Sequence, residues 1–130
     1  LKPLNEIVSG GELSRIMFAI KILLQAKDPV DTIIFDEVDS GISGKIAEKI
    51  GALMEDLGGK RQIICITHLS QIACKGNHHI SIYKSFDSNK TKVTVEKLSN
   101  KKRIIEIASL LSGSSITEDA KKQARQLLLN

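Results

Sequence analysis

The chain has no tryptophan, and aromatic residues make up only 3% of its 130 residues. Binding of single-stranded nucleic acid by stacking bases on aromatic platforms is therefore disfavoured. The core must be built from Ile, Leu, Val and Ala. Cysteine occurs twice, too few for a disulfide framework, which fits a reducing cytoplasm. No apolar run approaches the ~18 residues of a membrane span, and no signal-peptide pattern is present, so no membrane partner is expected. A dominant charge is also missing: 19 Lys and Arg are interspersed with 15 Asp and Glu. That balance permits contact with DNA or phosphate without arguing for it. A 42% hydrophobic content suffices for one folded domain over residues 1–130. Internal repeats, low-complexity tracts and composition shifts that would mark a boundary are absent. The chain begins at Leu1 rather than Met, which predicts a piece of something longer.

The rest of the sequence is organised around Thr32-Ile33-Ile34-Phe35-Asp36-Glu37. A short continuous apolar run reads as a strand buried on both faces of a parallel sheet. Ligands of such sheets sit beyond the carboxyl ends of the strands, where Asp36 and Glu37 fall. Adjacent carboxylates repel, so burying both for structure alone is unfavourable. A site that holds Mg²⁺ and activates water needs such a pair, one acid for the metal and one as base. An acidic loop after a strand is the plainer alternative. A second apolar run, Gln62–Thr67, follows a helix, and the β-α-β unit so formed predicts parallel strands. His68 then emerges at the same sheet edge as the acids.

Ahead of the first strand, Ser9-Gly10-Gly11-Glu12 opens a helix. Leu13, Ile16, Met17, Ile20, Leu23 and Leu24 form its predicted apolar face, and Asp28-Pro29 ends it. Ser9 and Glu12 fit a capping box. Glycine costs about 0.8–1.0 kcal/mol relative to Ala inside a helix, so the pair implies close approach to the backbone. A helix N-terminus is also a ready anion site, and the two readings stay open. After the loop Glu37–Gly44, a helix resuming near Ser43 carries Ile46, Ala47, Ile50, Leu53, Met54 and Leu57 on one face, and Gly58-Gly59 stop it. Gly41-Ile42-Ser43-Gly44-Lys45 mimics a phosphate loop but lacks its first glycine and its hydroxyl. Cys65, His68, Cys74, His78 and His79 match no structural zinc spacing.

Ile80–Phe86 and Thr91–Leu98 alternate apolar and polar residues around the turn residues Asp87-Ser88-Asn89-Lys90, which predicts a hairpin with a basic face. A helix from Lys101-Lys102-Arg103 carries Ile104, Ala108 and Leu111 inward and closes at Gly113. Thr117 caps a last helix with Ala120, Ala124, Leu127 and Leu128 inward. The fold class is α/β, parallel strands with flanking helices followed by a hairpin and two helices.

In order, the glycine-led helix, the strand with its acid pair, Asp39, and His68 after a second strand resemble the carboxyl-terminal lobe of an ABC-type ATPase head. The four elements are similar to the signature motif, Walker B with its catalytic glutamate, the D-loop and the H-loop. Asp36-Glu37-Val38-Asp39-Ser40-Gly41-Ile42 resembles the SMC-like chromosome-maintenance and DNA-repair branch rather than transporters. The resemblance implies ATP and Mg²⁺ as cofactors, with Asp36 holding Mg²⁺ through water. Glu37 would polarise the attacking water and His68 would contact the γ-phosphate. Ser9, Gly10, Gly11 and Glu12 would form the signature that clamps ATP on a second head, and Asp39 would couple the two heads. The implied partners are an amino-terminal lobe carrying the missing phosphate loop, a second head in a homodimer, and DNA. The implied setting is the bacterial cytoplasm at the nucleoid, in double-strand-break repair. A non-catalytic nucleic-acid or protein-binding module, using the hairpin and Lys101–Arg103, is a second reading. A transporter ATPase lobe is a third.

Overall fold

The computed structural model describes residues 8–24, 30–87, 90–113 and 115–129. The expectations for the lead-in segment at Pro3, the stop at Asp28-Pro29 and the turn residues Ser88-Asn89 lie outside them. The chain falls into two compact units, Leu1–Lys75 and Gly76–Asn130.

The first unit runs α1 (Gly10–Leu24), β1 (Thr32–Phe35), α2 (Gly44–Gly58), β2 (Gln62–Cys65) and α3 (Ser70–Ala73). β1 and β2 pair in parallel, with Thr32 opposite Gln62 and Phe35 opposite Cys65. The Gln62 N–H donates to the Asp31 carbonyl and the Ile66 N–H to Phe35, each at 2.9 Å. A parallel pair needs a crossover, and α2 supplies it. The core joins Phe18, Ile33, Phe35, Val38, Ala47, Ile50, Met54, Leu57 and Ile72. Phe18 and Phe35 meet edge to face, with ring centroids 4.9 Å apart, a favoured arrangement for two quadrupoles.

Three sequence expectations change here. The strands are not buried on both faces: Ile33 and Phe35 point inward, whereas Ile34, Ile64 and Ile66 are exposed. Helices cover only one side of the two-stranded sheet among the described residues. The predicted face of α1 is also largely exposed, and Phe18 is the buried side chain. Apolar residues nearly encircle this helix, so spacing does not choose a face; the fit of Phe18 against Phe35 does. On α2, Ile46 and Leu53 lie beside the buried stripe of Ala47, Ile50, Met54 and Leu57. The helix does stop at Gly58-Gly59 as expected, with Gly59 in a right-handed conformation at φ −69°.

The second unit comprises the antiparallel hairpin β3 (Ile80–Asp87) and β4 (Lys90–Lys97), then α4 (Asn100–Ser112) and α5 (Glu118–Leu129). Ser99 caps α4 by accepting the Lys102 N–H, and Thr117 caps α5 by accepting the Ala120 N–H at 3.1 Å. Ile107, Ala108, Ala120 and Ala124 are buried where α4 meets α5. Ile82 lies opposite Val95 and Lys84 opposite Val93, so Lys84 shares a face with the exposed Ile80, Ile82, Phe86, Val93 and Val95. The other face carries Ser81 and Tyr83, whose hydroxyls donate to the Glu106 carboxylate. Lys92, opposite Ser85, is on that second face. The hairpin lysines are thus divided between faces and do not make the basic face expected. No helix among the described residues is long and apolar enough to cross a membrane.

Removing the Phe35 ring takes away both the partner of Phe18 and the centre of the core. Phe35→Ala is expected to cost about 3–5 kcal/mol, measured by urea denaturation. A loss below about 1 kcal/mol, ordinary for a surface site, would contradict this packing.

Candidate functional site

All the site residues named from the sequence fall within the first unit. β1 ends at Phe35, and the chain then turns sharply. Glu37 has φ +57°, a left-handed conformation that costs a non-glycine residue about 1–3 kcal/mol. The Ser40 N–H closes the turn on the Glu37 carbonyl at 3.1 Å. Val38 is fully buried and anchors the turn in the core. Asp36 and Glu37 remain exposed on one side of that anchor, while Asp39 is buried on the other, with 3% of its surface accessible.

The residues after β2 close around Asp39. Its Oδ2 accepts the Thr67 hydroxyl at 2.5 Å and the His68 N–H at 2.9 Å. His68 Nδ1 lies 3.1 Å from the same oxygen, while the His68 side chain is 72% exposed. The Leu69 N–H in turn donates to the Thr67 hydroxyl at 3.0 Å. The imidazole is thereby brought to the loop that carries the acids. Burial pushes the Cys65 thiol up to about 12, with the charges of Asp39 and Asp36 adding to it. Cys65 is an inert core residue, and no three His, Cys, Asp or Glu among the described residues are grouped for a metal ion. Mg²⁺ takes one or two carboxylates and fills its shell with water and substrate phosphates; the exposed Asp36 fits that need.

The glycine pair packs against this same loop. A Cβ on Gly10 would stand 3.3 Å from Glu37 Oε2, and one on Gly11 would stand 2.7 Å from the Ser40 Cβ. Arg15 Nη1 donates to the Ser40 carbonyl at 2.5 Å. The close approach inferred from the glycines is made by the chain's own Glu37 and Ser40. The capping box also forms: the Ser9 N–H and hydroxyl both donate to Glu12 Oε2, at 2.9 and 3.0 Å. The Glu12 N–H points back to the Ser9 hydroxyl at 3.4 Å. Ser9 and Gly10 are exposed at the helix tip and Gly11 is buried. The arrangement therefore sets two exposed carboxylates, an exposed imidazole and a helix N-terminus around one loop. Such a set can hold a hydrated divalent cation, orient a water and receive an anion.

Thr67, Val38 and Arg15 were not singled out from the sequence. Thr67 reads there as the last residue of a strand. Only its position beside His68, opposite an Asp that turns inward, signals its role.

Gly11→Ala adds helix propensity of about 1 kcal/mol but forces its methyl into Ser40, and overpacking costs about 1–3 kcal/mol. The expected net result is a lower melting temperature. Gly10→Ala, which meets only a movable carboxylate tip, should be neutral or stabilising. Equal effects from the two would contradict the packing of α1 on the loop. The Ser9 backbone N–H, then its hydroxyl, holds the Glu12 carboxyl below its ordinary 4.5, and Arg15 adds a smaller pull. A carboxyl lowered by folding stabilises above its unfolded pKa, and that stability fades as pH falls through the folded value. The Ser9 amide resonance should therefore titrate with a midpoint below 4.5; a midpoint at or above it would show an open box.

No protein-family model matches the chain. It is 46% identical over 127 residues to DNA repair protein RecN of Haemophilus influenzae, covering 98% of this chain and 23% of that protein. It is 43% identical over 129 residues to RecN of Vibrio cholerae, covering 99% and 23%. For RecN of Bacillus subtilis the identity is 39% over 128 residues, covering 98% and 22%. The chain thus spans less than a quarter of the length of these relatives. A solved structure described as the structural biochemistry of ATP-driven dimerization and DNA-stimulated activation of SMC ATPases superposes with a TM-score of 0.59. It covers 85% of this chain and 66% of its own at 21% identity, a likeness of fold. The chain is thus similar in sequence to a segment of RecN proteins, and its backbone shares the α/β fold of that solved SMC ATPase structure.

Proposed function

We propose that the chain is the carboxyl-terminal half of an ATPase head acting in DNA double-strand-break repair and recombination. It supplies one half-site for ATP and Mg²⁺, and turnover requires an amino-terminal lobe and a second head. Asp36 holds Mg²⁺ through water, Glu37 polarises the attacking water, and His68 contacts the γ-phosphate. Ser9, Gly10, Gly11 and Glu12 form the tip that meets ATP on the partner head, and Asp39 takes part in coupling the two heads. Phosphoryl transfer of this kind rests on positioning and charge stabilisation.

The observation that carries this reading is the convergence at one loop: an exposed acid pair after β1 and an imidazole after β2, joined through Asp39. A strained backbone at Glu37 supports it, because such strain clusters at functional sites. The relatives are named for DNA repair, and the structural neighbour is described by ATP-driven dimerization and DNA stimulation. These descriptions favour a second head and DNA as partners and the cytoplasm as the setting. The exposed Ile34, Ile64 and Ile66 offer an apolar face to the amino-terminal lobe, since large uncovered apolar patches mark interaction sites. The basic-module alternative loses support: Lys102 pairs with Glu96 at 2.5 Å, and Arg103 donates to the Gly76 carbonyl.

The test combines this chain with an amino-terminal lobe and compares Glu37→Gln with the parent. Loss of a general base typically costs about 10²–10⁴-fold. Turnover should fall by that order while ATP still binds and paired heads accumulate. Undiminished turnover in the variant would end the assignment.

A further inference from the structure

We propose that Asp39 and Thr67 are positioning residues that hold the His68 ring in one tautomer and one orientation, so that Asp39 acts within its own head through His68. The inference rests on the ATPase reading for its consequence in turnover, but not for its geometry.

A carboxylate that reaches across an interface between heads has to be exposed. Asp39 is 3% exposed; a single oxygen of it accepts the Thr67 hydroxyl and the His68 N–H and lies 3.1 Å from His68 Nδ1. An ionised carboxylate only accepts hydrogen bonds. A nitrogen lone pair 3.1 Å from a carboxylate oxygen would be repelled, so this contact favours the tautomer with its proton on Nδ1 and leaves Nε2 as the ring's other nitrogen. Which nitrogen is free is set by the bond the other one makes. Thr67 completes the device: its hydroxyl proton goes to Asp39, and its lone pairs receive the Leu69 N–H. The hydroxyl thus ties the carboxylate to the backbone immediately after the imidazole. Movement of the loop Glu37–Ser40 is transmitted to His68 through this oxygen. Coupling between heads then runs through the placement of the ring rather than through Asp39 itself.

The ring tautomer is read by long-range ¹H–¹⁵N NMR on the full chain. Turnover is read after assembly with the amino-terminal lobe. The parent should show a proton on Nδ1 of His68. Asp39→Asn and Thr67→Val should shift the ring toward mixed tautomers, and Thr67→Ser should restore the parent pattern. Removing the orienting partner of a metal-bound histidine costs on the order of 10–100-fold; a loss of similar order is expected here, in kcat with the KM for ATP nearly unchanged. A parent ring protonated on Nε2 alone, or Thr67→Val indistinguishable from the parent in both tautomer and kcat, would overturn the inference. Thr67→Val keeps the side-chain shape, so it remains informative if Asp39→Asn fails to fold. If Glu37→Gln leaves turnover intact while the tautomer responds as described, the ATPase reading fails and the positioning stands. If Glu37→Gln abolishes turnover while the tautomer ignores both variants, the positioning fails alone.

Discussion

Burial of Val38 is the constraint on which the site depends. The side chain is fully enclosed, and enclosing a valine is worth about 1.5–3 kcal/mol. Its neighbour Glu37 adopts a left-handed backbone at a cost of about 1–3 kcal/mol. The two are of similar size, so the anchor offsets the strain. The turn that results keeps Asp36 and Glu37 toward solvent and sends Asp39 inward. An inward carboxylate must be satisfied, and the residues after β2 satisfy it. One apolar side chain thereby joins two loops from two strands into a single rim.

Much of this was readable in the sequence. Ile33-Ile34-Phe35 and Ile63-Ile64-Cys65 announced strands, and the helix between them required that they run parallel. The acids and His68 therefore had to share an edge. The capping box at Ser9 and Glu12 also formed as its spacing implies. What escaped was decided by tertiary contact. The face of α1 could not be chosen while apolar residues surround the helix. The inward turn of Asp39 depends on the left-handed Glu37, and no local pattern specifies that in a residue other than glycine. The division of the hairpin lysines depends on register, which pairs Lys84 with Val93 and Lys92 with Ser85. Thr67 acquires its role only from a partner 28 residues away.

The exposed apolar residues belong to the same picture. Ile34 and Ile64 stand side by side in register, on the sheet face opposite Phe35. The hairpin similarly shows Ile82 and Val95 to solvent while Ser81 is buried. An isolated domain would gain by covering such faces. The chain spans less than a quarter of its relatives' length, and the uncovered faces fit the proposed head built from two lobes.

The central claim is that one rim holds the metal-facing acid, the water-facing acid and the phosphate-facing imidazole. A crystal structure of the assembled head with Mg²⁺ and a non-hydrolysable ATP analogue tests it most directly. The expected result has Asp36 in the hydration shell of Mg²⁺ and Glu37 on a water in line with the γ-phosphate. His68 Nε2 should lie on that phosphate while Nδ1 stays on Asp39. A metal held elsewhere, or a His68 ring turned away from both Asp39 and the phosphate, would contradict the account.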